Sequence, residues 1–162
     1  MAVTLKQWSE SNGGTAGSPG STTDGISNSN YGSADSANIV TTTNPIAPNS
    51  YSYAKQHRIK FTVDAGETID NFRFWKQSGT LSGSDAIQYD APLTYQTPTN
   101  ASIAGTTIPT SLPGAENIGL AALVAPSATY TEYFRHQLFV HSATTAGASG
   151  IVLRVTFDRI VP

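Results

Sequence analysis

The sequence predicts an all-β fold, an antiparallel two-sheet sandwich of jelly-roll type with an extended low-complexity arm at its N-terminus. From residue 51 onward, apolar and polar residues alternate in short segments, as they do in strands with one buried face. Loops rich in Gly, Pro and Ser separate these segments, and no segment has the apolar period of a helix. The 162 residues can bury one sizeable core. We therefore divide the chain into an arm, residues 1–50, and a sandwich domain, residues 51–162.

The composition excludes several classes of partner and compartment. Charged residues make up 12% of the chain, about half the usual share in soluble proteins. The net charge of -2 gives no basis for binding nucleic acid. The absence of cysteine excludes disulfides and thiolate-bound metal. No apolar run has the length of a signal peptide or a membrane span, so we expect synthesis in the cytoplasm and no membrane partner.

The first fifty residues have the composition of a flexible arm. Residues 3–8 alternate and predict either a short strand or a hydrophobic anchor that includes Leu5 and Trp8. Gly, Ser, Thr, Asn and Asp dominate residues 9–50. The only large apolar residues in that range are Ile26, Tyr31, Ile39, Val40 and Ile46. Ordering costs roughly 1–2 kcal/mol per residue, which so few apolar groups cannot offset. We expect the arm to order only on a partner, and the sandwich to stay folded without it.

The segment from Tyr51 to Lys76 predicts a central β-hairpin. Alternation turns three residues of its first strand inward: Ile59, Phe61 and Val63. Residues 64–67 supply the chemistry of a tight turn. In the second strand Phe72 and Phe74 share one face, and Ile69, Asn71, Arg73 and Trp75 share the other. Apolar side chains on both faces predict a strand that is covered on each side.

Five of the nine basic residues fall in this predicted hairpin. They are Lys55, Arg58, Lys60, Arg73 and Lys76. Such a group is typical of a solvated strand face. The alternative is a local basic patch that meets an acidic protein surface.

The remaining strands are predicted from the same alternation. They span Ala86–Tyr95, Asn117–Val124, Tyr130–Val140 and Ile151–Ile160, with a short strand between Thr97 and Pro113. The predicted core consists of Ile59, Phe61, Val63, Ile87, Leu93, Leu138, Val140, Leu153, Val155 and Phe157.

The sequence contains no catalytic constellation. A jelly-roll metal site needs two histidines one residue apart, whereas the nearest pair here, His136 and His141, would point to opposite faces of a strand. We therefore interpret these two and His57 as ordinary strand residues. Glu132 is the one carboxylate on an inward register, and it suggests a rim position paired with an arginine more than a general acid. We expect no enzyme activity, no cofactor and no metal.

The composition and the order of segments along the chain resemble those of a family of viral structural proteins. The segments that carry the resemblance are the Gly/Ser/Thr arm, the first strand segment NSYSYAKQHRIKFTV, the segments IDNFRFWKQSG and TYQTPTNASIAGTTIPTS, and the last segment GIVLRVTFDRIV. Together these segments are similar to small virion proteins of tailed bacteriophages, in particular capsid cement (decoration) proteins. The resemblance implies a homotrimer on the capsid surface that binds the major capsid protein and clamps neighbouring subunits. An uncharged arm suits such a role because it can lie along a neighbouring subunit.

The candidate partner-binding residues follow from this interpretation. They are Leu5, Trp8, Ile26, Tyr31, Ile39, Arg58, Lys60, Arg73 and Trp75. One alternative is a carbohydrate-binding sandwich, in which Trp75 and the tyrosines stack on sugar rings, and weak glycan binding is also compatible with a virion protein. Another is a head–tail, tail or fibre subunit.

Overall fold

The computed structural model of this protein contains strands and no helix in the part of the chain that it describes. It describes residues 5–63, 66–124, 127–141 and 150–161. The strands are β1 (Leu5–Thr15), β2 (Ser18–Asp24), β3 (Ser50–Tyr51), β4 (Lys55–Val63), β5 (Thr68–Ser78), β6 (Ala86–Leu93), β7 (Thr106–Thr107), β8 (Leu123–Val124), β9 (Ser127–Tyr130), β10 (Tyr133–Val140) and β11 (Val152–Ile160).

The strands form two antiparallel sheets. The larger sheet has the order β2-β1-β4-β10-β6-β7, with β3 paired to β10 and β9 paired to β4. The smaller sheet has the order β11-β5-β8. Apolar side chains from both sheets form one core cluster. The predicted all-β antiparallel two-sheet sandwich is confirmed.

The predicted central hairpin is wrong. β4 pairs with β1, β9 and β10, whereas β5 pairs with β11 and β8, so the two strands lie in different sheets. Each strand carries a fully apolar stretch on one face, and these stretches are buried most completely when the strands face each other across the core. Phe61 of β4 contacts Phe72 of β5 in this way, with ring centroids 6.1 Å apart.

A bulge in β5 changes which of its residues face the core. The pairing between β5 and β11 shifts between Thr156 and Asp158, and Asn71 of β5 has a φ of 56°. The extra residue turns Ile69 to the same side as Phe72, and both are fully buried. The prediction from strict alternation that Ile69 shares a face with Trp75 is therefore wrong.

Most of the predicted core is found in the core. Ile59, Phe61, Ile87 and Val140 are buried. Leu138, Leu153, Val155 and Phe157 are half-buried and pack against the core cluster. Leu93 is 38% exposed, because its φ of 65° turns the side chain out at the end of β6. The side chain of Val63 lies outside the described part. The core also includes Ile108, Ile118 and Leu120, from the connections between strands.

The N-terminal segment differs from the predicted arm. β1 and β2 form a hairpin, and β1 pairs with β4 from Leu5 to Ser11 inside the larger sheet. Residues 25–49 contain no strand, yet Ile39 in this stretch is only 3% exposed. Because the segment has few apolar side chains to bury, it is held mainly by backbone pairing and by buried polar contacts. Flexibility of residues 9–50 in the isolated protein stays a prediction.

Candidate functional site

The candidate binding site is the outer face of the smaller sheet, which we define by the side chains of β5 and β11 that point away from the core. It comprises Arg73, Trp75, Val152, Arg154, Thr156, Asp158 and Ile160. In the strand pairing, Trp75 lies opposite Arg154 and Arg73 lies opposite Thr156. Trp75 therefore sits among polar and apolar neighbours on one continuous surface.

Exposed apolar residues concentrate around this face. The described residues include seven exposed large apolar side chains, of which four belong to the smaller sheet or follow its last strand. The four are Val124, Val152, Ile160 and Val161. Single exposed apolar residues are common on any protein, but several of them on a sheet that also carries a half-buried tryptophan are typical of a protein contact.

The charges on the outer face are partly paired with each other. Arg73 Nη2 lies 2.5 Å from Asp158 Oδ1, and Asn71 donates to the other oxygen of the same carboxylate. The buried indole N–H of Trp75 has no acceptor among the described residues. Arg154 is exposed and has no ion-pair or hydrogen-bond partner there either. Of these two donors, only the Arg154 guanidinium is accessible to a partner.

The outer face of the larger sheet is organised differently. The Arg58 guanidinium lies over the rings of Tyr130 and Tyr133, at 4.1 and 4.7 Å from their centroids. Lys60 forms an ion pair with Asp24 at 2.7 Å. Hydrogen bonds from Lys60 and Ser9 hold the pKa of Asp24 at about 2. Since Arg58 covers these tyrosine rings, they do not form the open platform that stacking on a sugar requires.

A buried polar cluster ties the N-terminal segment to the larger sheet. Lys55 Nζ lies 2.9 Å from Glu10 Oε1, and the two side chains are 1% and 0% exposed. Lys55 also donates to the carbonyl oxygen of Ser36 at 2.7 Å, and the Ser29 hydroxyl donates to the second oxygen of Glu10. Each charge thus has a partner and a further hydrogen bond, which a buried ion pair needs.

Two histidines lie next to this ion pair. The rings of His57 and His136 stack at 4.9 Å with an interplanar angle of 9°. The Tyr31 hydroxyl lies 2.6 Å from His136 Nδ1. Burial lowers the pKa of His57 to about 4 and the pKa of His136 well below its usual value. Both rings are therefore neutral and weakly basic at neutral pH, which suits packing better than proton transfer.

A cavity of about 1040 Å³ adjoins the histidines. Residues 26–31, 41, 42 and 44–46 line it together with residues of β10, of which His136 is one, and of β11. Its lining mixes apolar groups such as Leu138 and Ile151 with hydroxyl and amide groups.

Several predicted partner-binding residues are occupied within the chain. Trp8 packs edge-on against His57 at 5.1 Å, and Tyr31 hydrogen-bonds to His136. Ile39 is buried, so these three side chains are not exposed anchors in this structure, and partner binding by them stays a prediction. Burial within the chain provides the apolar contacts that we had assigned to a partner.

The other predicted residues are distributed over both sheets. Ile26 is half-buried and lines the cavity, and Leu5 begins β1, with its side chain outside the described part. Arg58 and Lys60 lie on the larger sheet. Only Arg73 and Trp75 lie on the candidate site.

The local basic patch that the sequence left open as an alternative is absent from the described surface. Its five residues are split between β4 and β5 in different sheets, and Lys55 is buried. Glu132 accepts a hydrogen bond from the backbone N–H of Ala121 at 3.0 Å, where we had expected an arginine partner.

Sequence reasoning missed the buried polar cluster, although a signal was present. Lys55 and His57 occupy the inward register of a strand whose next inward residues are Ile59 and Phe61. A charged residue in that register requires a buried counterion. The counterion, Glu10, lies 45 residues earlier, and no local pattern connects the two.

Comparison of the chain with protein-family models, with curated proteins and with solved structures gives no match. Across the described ranges, no helix is long and apolar enough to cross a bilayer. The same residues contain no group of three or more His, Cys, Asp or Glu side chains arranged to hold a metal ion.

Proposed function

We propose that this protein is a non-enzymatic virion component that binds the outside of a bacteriophage capsid and cements neighbouring subunits of the major capsid protein. The observation that carries the proposal is the outer face of the smaller sheet, which presents Trp75, while four of the seven exposed large apolar side chains among the described residues belong to that sheet or follow its last strand. The resemblance of the sequence to cement proteins supplies the class of partner, and it implies a homotrimer.

The distribution of charge supports a broad protein contact. Eight of the nine basic side chains have a partner within the chain: five form ion pairs, two lie over aromatic rings and one donates to a carbonyl. The exposed surface is therefore supplied mainly by hydroxyl, amide and apolar groups. Such a surface loses little charge solvation when it is covered by another protein.

We infer an attachment surface that differs from the one the sequence suggested. The sequence assigned attachment to the N-terminal arm, but β1 is a central strand and Trp8 packs into the core. The outer face of the smaller sheet is free of such internal roles among the described residues. We therefore assign attachment to Trp75 and Arg73 on that face.

The test is binding to capsids stripped of this component. Replacing Trp75→Ala should weaken binding by about 2 kcal/mol, or roughly thirtyfold in affinity, because central aromatic residues dominate protein interfaces. Bound protein and the resistance of the particles to heating are the two measurements. Leu112→Ala is the matched control, since Leu112 is exposed but lies outside both sheets.

Equal binding by the Trp75→Ala and wild-type proteins would remove the candidate site from the proposal. If wild-type protein bound no particle and instead bound a glycan through Trp75, the carbohydrate-binding alternative would replace it.

A further inference from the structure

The outer edge of β11 is open in the described part of the chain. β11 pairs with β5 on one side, and no described strand pairs with its other side. The strand is nine residues long and contains neither proline nor glycine. An unpaired strand of this length presents a row of backbone donors and acceptors that can pair with another strand.

The other sheet edges are protected in ways that β11 is not. β2, at one edge of the larger sheet, contains Pro19 and Gly20 and has polar residues at every other position. β7 and β8, at the remaining edges, are two residues long. Proline and short length are common devices that prevent pairing between edges. Among the described strands, only β11 is both long and unprotected.

The outward residues of β11 are complementary to themselves under a two-fold rotation. Reading along the strand they are Val152, Arg154, Thr156, Asp158 and Ile160. If two copies pair in antiparallel fashion about Thr156, then Arg154 of each copy lies opposite Asp158 of the other. In the same register Val152 lies opposite Ile160, so apolar residues meet each other at both ends.

No neighbouring register gives this match. A shift of two residues in one direction places Arg154 opposite Thr156, and the opposite shift places it opposite Ile160. Arg154 is also the one basic side chain that has no partner among the described residues, whereas the half-exposed Asp158 carboxylate keeps acceptor capacity beyond its contacts with Arg73 and Asn71. Directly opposed charges of opposite sign stabilise an antiparallel pair.

We propose that β11 is a dimerisation edge that pairs with β11 of a second copy of this chain. The pairing joins the two smaller sheets into one six-stranded sheet with Thr156 at the two-fold axis. This inference does not depend on capsid binding. A two-fold contact closes at two copies, so the trimer implied by the resemblance would require a different surface.

Cysteine cross-linking tests the register directly. Opposed Cα atoms across an antiparallel pair are about 4.5–5.5 Å apart, within the range of a disulfide. Thr156→Cys should therefore form a covalent dimer on mild oxidation of micromolar protein. Val152→Cys is the control, because in this register the two copies of residue 152 are about 26 Å apart. The chain has no other cysteine.

A charge exchange tests the complementarity. Arg154→Glu and Asp158→Arg should each weaken self-association by roughly tenfold or more, because each opposes like charges. An equimolar mixture of the two variants should form a heterodimer, since every opposed pair is then of opposite sign. Glu116→Arg, an exposed substitution away from the edge, should leave self-association unchanged.

Sedimentation of the wild-type protein should give a concentration-dependent dimer. A monomer at all concentrations, or a trimer, would overturn the proposal. So would equal cross-linking of the Thr156→Cys and Val152→Cys variants. Circular dichroism establishes that each variant is folded, and if Asp158→Arg does not fold, the cross-linking result decides.

Discussion

At the scale of single residues, the buried pair of Lys55 and Glu10 is the most consequential feature. Both side chains are shielded from solvent, and each is held by a second contact, to Ser36 and Ser29 respectively. The pair connects β4 to β1 and to the segment without strands. The pair stabilises the fold only when both side chains are present, because either charge alone would be buried without a partner.

Lys55→Met should destabilise the protein by about 3–5 kcal/mol, since it leaves the Glu10 carboxylate buried and uncompensated. Denaturant unfolding measures the loss. The double variant Glu10→Gln with Lys55→Met should be more stable than the single variant. Lys6→Met, at an exposed position of β1, is the control for loss of a lysine. Wild-type stability in Lys55→Met would contradict the buried geometry.

The stacked histidines predict that acid destabilises the fold. The pKa of His57 is about 4 in the folded state and about 6.5 when unfolded, so the unfolded chain binds more protons between these values. Stability is complete above pH 6.5 and is lost as the pH falls. His57 alone should account for about 2 kcal/mol between pH 6.5 and pH 5. Lys55 and Glu10 are the charges that face it, and Lys55 also lowers the pKa of His136.

Unfolding in urea at pH 7 and pH 5 measures this dependence. His57→Gln should reduce the slope, whereas His141→Gln should retain it because that residue lies outside the cluster. A wild-type stability that did not change between the two pH values would contradict the neutral, buried state of the rings.

At the scale of elements, β1 has the largest structural role that the sequence did not predict. It pairs with β2 on one side and with β4 on the other, and it carries Trp8 into the core and Glu10 into the polar cluster. The composition of the N-terminal segment suggested an appendage. The backbone hydrogen bonds of β1 and a few of its side chains instead make this segment a part of the larger sheet.

Deletion of residues 1–50 should therefore unfold the sandwich, although the sequence alone led us to expect a folded remainder. The deletion exposes one edge of β4, uncovers the core beneath Trp8 and leaves Lys55 without its counterion. Circular dichroism and thermal melting measure the result. Deletion of residues 1–4 is the control, because it keeps every described strand. A truncated protein that melted like the full chain would restore the arm as a separate unit.

At the scale of the whole molecule, the two proposals concern neighbouring parts of one surface. Pairing through β11 would place two copies of Trp75 on the same six-stranded face. Such a dimer would present two equivalent attachment points, and two linked contacts bind more strongly than one. Because eight of the nine basic side chains have a partner within the chain, attachment by this face should depend little on long-range attraction to an acidic partner.

The sequence by itself determined the class of fold and much of the core. Alternation located most of the strands to within a few residues and placed Ile59, Phe61 and Ile87 inside, because alternation is a local property of extended chains. It also put Trp75 on the face opposite Phe74, which is where the candidate site lies.

The tertiary structure decided which strands pair and which polar residues are buried. Local alternation is the same whether β4 and β5 pair in one sheet or face each other across the core, and only the total burial distinguishes the two arrangements. The ion pair between Glu10 and Lys55 and the ring stacking of His57 on His136 likewise bring together residues that are far apart in the chain. Such contacts depend on the packing of the whole molecule, and no local sequence pattern encodes them.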